Sequence, residues 1–168
     1  IQKSELGHQT MNSAVHCSQD VIESAQEFLR THRDDRFFLY MHLMDVHQYV
    51  YDEETALFGT TYSDIYDNSI RWVDRLIGRF IGELERQGLR EKTLIVIAAD
   101  HGEAFGEHGH EGHARDVYSE VVTTPLIMSF PFELESPIVV EADSENVDIW
   151  PRFFDLLGLP GVGGAEGH

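Results

Sequence analysis

The sequence predicts an α/β fold, a mostly parallel sheet with helices on both faces. Three observations carry that prediction. Segments of helical period alternate with short apolar runs, one run (LIVIAA, Leu94 to Ala99) is apolar throughout, and that run ends abruptly on Asp100, His101 and Gly102. A run without a polar side belongs in a sheet covered on both faces, and alternation of the two element types implies crossovers feeding parallel strands. A switch from apolar to polar at the end of such a strand is where ligands usually bind in these sheets.

The elements follow in order. Val21, Ile22, Ala25, Phe28 and Leu29 recur at helical spacing, so about Ser18 to Thr31 is expected to be an amphipathic helix that stops before the RDDR turn. FFLYMHL, Phe37 to Leu43, is short and aromatic enough to predict a buried strand, with Asp45 and His47 just past its end. From Tyr62 to Gln87, Ile65, Tyr66, Ile70, Val73, Ile77, Phe80, Ile81 and Leu84 keep a 3.6-residue period, and Gly88 supplies the stop. After LIVIAA, the runs PLIMSF (Pro125 to Phe130) and PIVVEA (Pro137 to Ala142) predict further strands. A last helix is expected from near Asp148, with Pro151 in its first turn, to Gly158. The glycine-rich end, 161–168, reads as a flexible tail.

Bulk properties narrow the function. The chain has 168 residues, 42% of them hydrophobic, which suits one domain with a sizeable core. Its formal charge is −18, and Lys3 and Lys92 are the only lysines, a pattern that favours a salt-adapted surface over a piece of a more basic protein. Nucleic acid and anionic membranes are excluded as partners because both would be repelled. No apolar run reaches the roughly 20 residues of a membrane span, and IQKSELGHQT does not read as a signal peptide. Lone Cys17 excludes an internal disulfide and any CxxC metal knuckle.

Asp100 and His101 pair a carboxylate oxygen with an imidazole nitrogen, two ligand types for a divalent cation. An isolated Asp–His pair is more simply a helix cap beside a surface histidine. His108, His110 and His113 follow at once. His108 and His110 sit in a glycine-rich loop and read as solvated, while Glu103 and Glu107 read as surface carboxylates rather than as groups orienting histidines. Asp45 reads as a turn cap, His42 as a strand residue, and Tyr118 and Glu120 as packing and loop-anchoring positions.

The segments HLMDVH, YDNSIRWVDRLIGRFIGELERQGLREKTLIVIAADHGEAFGEHG, GHARDVYSEVVTTPLIMSFP and VDIWPRFFDLLGLPG, in this order and spacing, resemble the sulfatases of the alkaline phosphatase superfamily from about Phe37 to Pro160. The resemblance implies an alkaline phosphatase-like α/β fold and a hydrolase of sulfuric esters. Phosphate or phosphonate ester hydrolysis, or phosphoethanolamine transfer, is the alternative on the same scaffold. It implies one divalent metal, Ca2+ first and Mn2+ or Zn2+ next, with Asp100 and His101 as ligands. It implies His47 and His113 as the catalytic histidines, acting on the anionic group of a sulfate or phosphate ester. The family nucleophile is formylglycine matured in a CxPxR motif, or Ser or Thr in the phosphoryl-transferring relatives. No CxPxR motif occurs in this sequence, and Cys17 reads CSQDV. The resemblance therefore casts 1–168 as a single, incomplete sulfatase-like domain fragment without turnover by itself. Two positions depart from the pattern: Val46 replaces a proline next to His47, and Arg152 replaces a threonine in the last segment.

A second class of answer is a non-catalytic paralogue, or a histidine-rich metal-binding or interaction module from His101 to His113. A fragment is expected to self-associate through the exposed edge of a split sheet. Export is what the family resemblance implies for location, with no leader visible in the sequence.

Overall fold

The computed structural model describes residues 17–113, 115–134, 136–161 and 163–164. The chain forms two compact units, Ile1–Thr93 and Leu94–His168.

The core of the first unit is a helix pair. α1, Cys17–His32, buries Ser18, Ile22, Ala25, Gln26 and Leu29 along one stripe, as its period predicts. α2, Tyr62–Arg86, buries Ile65, Trp72, Val73, Leu76, Phe80 and Leu84. Ile22, Leu29, Leu76 and Leu84 are removed from solvent completely, each contributing roughly 2 kcal/mol of transfer free energy. α2 starts on a capping box, in which the Thr61 hydroxyl accepts from Asp64 N and Asp64 accepts from Thr61 N. It ends where Gly88 takes a left-handed φ of 68°, a conformation with little cost for glycine. Across the pair, Gln26 Nε2 donates to the Arg79 carbonyl at 3.2 Å.

Between these helices lies a buried polar knot. Asp45 accepts hydrogen bonds from Ser18 N (3.1 Å), Cys17 Sγ (3.3 Å) and Trp72 Nε1 (2.8 Å), while its own N–H donates to Ser18 Oγ. Asp45 thus ties α1, α2 and the 45–49 turn together.

Phe37 to Leu43 is extended rather than a buried strand. Even-numbered residues from Phe38 to His42 are exposed and odd-numbered ones from Phe37 to Leu43 half-buried, the period of a pleat. No ladder forms on it among the described residues, and a strand is defined by a neighbour that takes up its N–H and C=O groups.

The expected mostly parallel sheet is not seen among the described residues, where both strand pairs are antiparallel. β1, Ile95–Ala98, pairs with β4, Leu126–Ser129, and the pairing is antiparallel, Ile95 opposite Ser129 and Ala98 opposite Leu126. β2, Ala104–Phe105, and β3, Glu111–Gly112, form a short antiparallel hairpin. Parallel pairing requires a crossover connection. Here the chain between β1 and β4 goes into that hairpin and a single helical turn, α3, Ser119–Val122, and re-enters beside β1 from the opposite end. PIVVEA, expected as a strand, has no ladder among the described residues, and Ile138, Val139 and Val140 are 65%, 83% and 76% exposed. α4, Ile149–Leu156, follows a 3-10 turn at Asn146–Asp148, holds Pro151 in its first turn as predicted, and ends at Gly158 with φ 62°. The expected tail, 161–168, lies largely outside the described residues. No helix among the described residues is long and apolar enough to cross a membrane.

Candidate active site

The site residues of the second unit are set by the turn that leaves β1. Asn146 Nδ2 donates to the Ala99 carbonyl at 3.1 Å, pinning the strand end. The Asp100 carboxylate then accepts from His101 N at 3.1 Å. Gly102 N donates to the Val121 carbonyl at 2.7 Å. A Cβ at position 102 would lie 2.2 Å from the Glu120 carbonyl oxygen, so only glycine lets the turn close onto α3.

His101 is oriented by its own turn. Its Nδ1 lies 2.8 Å from the Gly102 carbonyl, and a carbonyl only accepts, so Nδ1 carries the proton and Nε2 of the neutral ring carries the lone pair. That Nε2 lies 3.9 Å from Asp100 Oδ1. A carboxylate oxygen and an imidazole nitrogen converging in this way fit two positions of a divalent-cation shell.

The hairpin supplies the opposite wall. Gly106 and Gly109 take φ values of 107° and 79° in its loop, and Glu107 closes that loop by accepting from Phe105 N at 2.6 Å. Since Ala104 faces Gly112, the next opposed pair is Glu103 and His113. His113 Nδ1 is 3.3 Å from each Glu103 oxygen, and its ring stacks on His101 at 4.0 Å and 26°. Asp100, His101, His113, Asp116, Val121 and Val122 together line a cavity of about 340 Å³.

Asp100, His101 and His113, all singled out from sequence, therefore share one cavity. His47 belongs to the first unit, exposed on a turn closed by Val50 N donating to the Asp45 carbonyl at 2.8 Å. Its neighbour Tyr49 takes a φ of 54°, strained for a non-glycine residue. Burial foremost, and then the Asp45 carboxylate, push the Cys17 thiol above its ordinary range.

Two groups read as solvated have defined partners. Glu103, read as a surface carboxylate, is 7% exposed and holds His113. The signal for it was the hairpin register, which places 103 opposite 113 once the Gly106 and Gly109 turn is recognised. His108 stacks on Tyr118 at 3.8 Å, and its Nδ1 bonds Glu120 at 2.6 Å. That bond, ahead of a backbone N–H, holds the Glu120 carboxyl below its usual range. The anchoring role expected of Tyr118 and Glu120 thus falls on the hairpin loop.

Comparison with known proteins covers nearly the whole chain. The family model described as Sulfatase matches residues 3–159. The chain is 38% identical over 87 residues to N-acetylglucosamine-6-O-sulfatase of Bacteroides thetaiotaomicron, covering 52% of this chain and 15% of that protein. It is 24% identical over 153 residues to steryl-sulfatase of Rattus norvegicus, covering 84% of this chain and 26% of that protein. A solved structure of a protein in complex with its substrate, D-glucosamine-2-N,6-O-disulfate, superposes with a TM-score of 0.52 at 32% identity, over 64% of this chain and 22% of the other. The chain thus spans about a quarter or less of the length of these relatives.

Proposed function

The chain belongs to the sulfatase family, and from that premise we propose that its second unit supplies part of a metal-dependent site for hydrolysis of sulfate monoesters. The observation that carries this reading is the meeting of Asp100, His101 and His113 on one cavity.

Asp100 and His101 would hold the cation, Ca2+ ahead of Mn2+ or Zn2+. When bound, such a cation polarises an ester oxygen and lowers the pKa of a nucleophile. The charge of the cavity supports a cation. Two carboxylates, Asp100 and Asp116, line it, and both would repel a sulfate group in the absence of a positive charge. His113 would contact an oxygen of the sulfate group. The formylglycine expected of the family has no CxPxR motif here, so the 168-residue chain by itself is expected to bind sulfate esters without turning them over. The exposed apolar residues Ile138 to Val140 support self-association of the chain, which sedimentation over a concentration series would show.

The test is an aryl sulfate added with Ca2+ to isotope-labelled chain. Amide signals of residues 100–102 and 113 are expected to shift, with no product released, and His101→Ala is expected to abolish the shifts. Robust turnover that survives His101→Ala would refute the reading.

A further inference from the structure

Of the two carboxylates on the cavity wall, the proposed chemistry uses Asp100 and leaves Asp116 without a task. Asp116 lies on the stretch between His113 and α3, with its side chain 27% exposed. His110 Nε2 is 3.8 Å from its Oδ2, beyond hydrogen-bond reach. The other acids of the hairpin are spent, Glu103 on His113 and Glu107 on Phe105 N. Asp116 therefore brings to the cavity a charge with acceptor capacity left for a ligand.

Val121 and Val122 give the same cavity an apolar surface. Both are held in place: the Val121 carbonyl accepts from Gly102 N at 2.7 Å, and the N–H groups of Val121 and Val122 donate to the Tyr118 carbonyl. The volume of about 340 Å³ is at the lower end for small-molecule pockets, room for a single ring and its sulfate group.

Charge sets the direction in which an ester enters. The sulfate group is drawn to a cation on Asp100 and His101 and repelled by Asp116, so the alcohol part of the ester falls to Asp116. A wholly apolar alcohol would strip water from that carboxylate and return nothing. A hydroxyl would donate to it in a charge-assisted bond, while the C–H face of its ring packs on the valines. A sugar ring offers both surfaces.

We propose that Asp116 is a specificity-determining residue, which accepts a hydrogen bond from a ring hydroxyl and selects sugar sulfates over sulfate esters of apolar alcohols. The inference rests on the sulfate-site reading for where the sulfate group lies.

The experiment compares two probes, glucose 6-sulfate and cyclohexylmethyl sulfate, which share ring size and an exocyclic sulfate but differ in ring hydroxyls. Each is titrated with Ca2+ into the isotope-labelled 168-residue chain, following amide signals of residues 100–102, 113 and 116. Glucose 6-sulfate is expected to bind about tenfold more tightly, the order of a hydrogen bond to a charged group. Asp116→Leu is expected to remove that advantage by weakening the sugar ester and tightening the apolar one, and Asp116→Asn, which keeps an acceptor, to retain part of it. Equal or tighter binding of cyclohexylmethyl sulfate by the unsubstituted chain overturns the proposal without any variant having to fold. So does an advantage that survives Asp116→Leu. If neither probe moves the signals of 100–102 and 113, the sulfate site itself is overturned, and the role of Asp116 with it.

Discussion

Asp45 in the first unit and Glu103 in the second are both carboxylates removed from solvent, 0% and 7% exposed, yet their partners differ in kind. Asp45 accepts from a backbone N–H, an indole and a thiol, all belonging to the helix pair around it. Glu103 accepts from an imidazole that lines a cavity. The first acid fastens structure to structure, whereas the second fastens a group that can meet a ligand. Burial of a charge does not by itself distinguish architecture from chemistry; the place of its partner, in a packed core or on a cavity wall, does.

The largest effect is expected at Asp45. Asp45→Ala removes the buried acceptor of Ser18 N–H and Trp72 Nε1–H, at a cost of about 3 kcal/mol, read as a lower urea midpoint. Gly102→Ala comes next. Its Cβ would collide with the Glu120 carbonyl, so the turn or α3 must move at a cost of about 2 kcal/mol, and signals of Asp100 and His101 should shift with it. Glu103→Gln, nearly isosteric, is expected to cost only about 1 kcal/mol while changing the His113 ring. Were it to cost as much as Asp45→Ala, the contrast between the two acids would collapse.

The smallest effect concerns Glu120, whose carboxyl is held below its ordinary range chiefly by the His108 hydrogen bond. A carboxyl with a folded-state pKa below its unfolded one stabilises the fold above the unfolded value, ~4.3 for glutamate. That contribution disappears as pH falls through the depressed folded value. Glu120→Gln should therefore unfold more readily than the unsubstituted chain near neutral pH, with the difference vanishing in acid, in paired denaturation series across pH.

Much of the helical part was legible in the sequence because amphipathic period and terminators are local. α1, α2 and α4 fall within a residue or two of their expected bounds, and Gly88 and Gly158 stop the chain where predicted. Pairing was not legible, since an apolar run such as LIVIAA or PIVVEA carries no record of its neighbour or direction. Hence β1 and β4 are antiparallel and Ile138 to Val140 are unpaired among the described residues. Asp100, His101 and His113 could be picked out because carboxylates and imidazoles after an apolar strand are conspicuous. Glu103 was hidden for the opposite reason. One acid among glycines looks solvated until the ladder that buries it is known.

The central claim is that the turn after β1 holds a cation through Asp100 and His101. Titrating Mn2+ into labelled chain at moderate salt and following amide broadening tests it most directly, because a paramagnetic ion reports even weak occupancy by proximity. Signals of residues 100–102 should broaden first, and His101→Ala should remove that preference. First broadening at the exposed acids, Glu53 and Glu54 or Glu141 and Asp143, with 100–102 untouched, would contradict it.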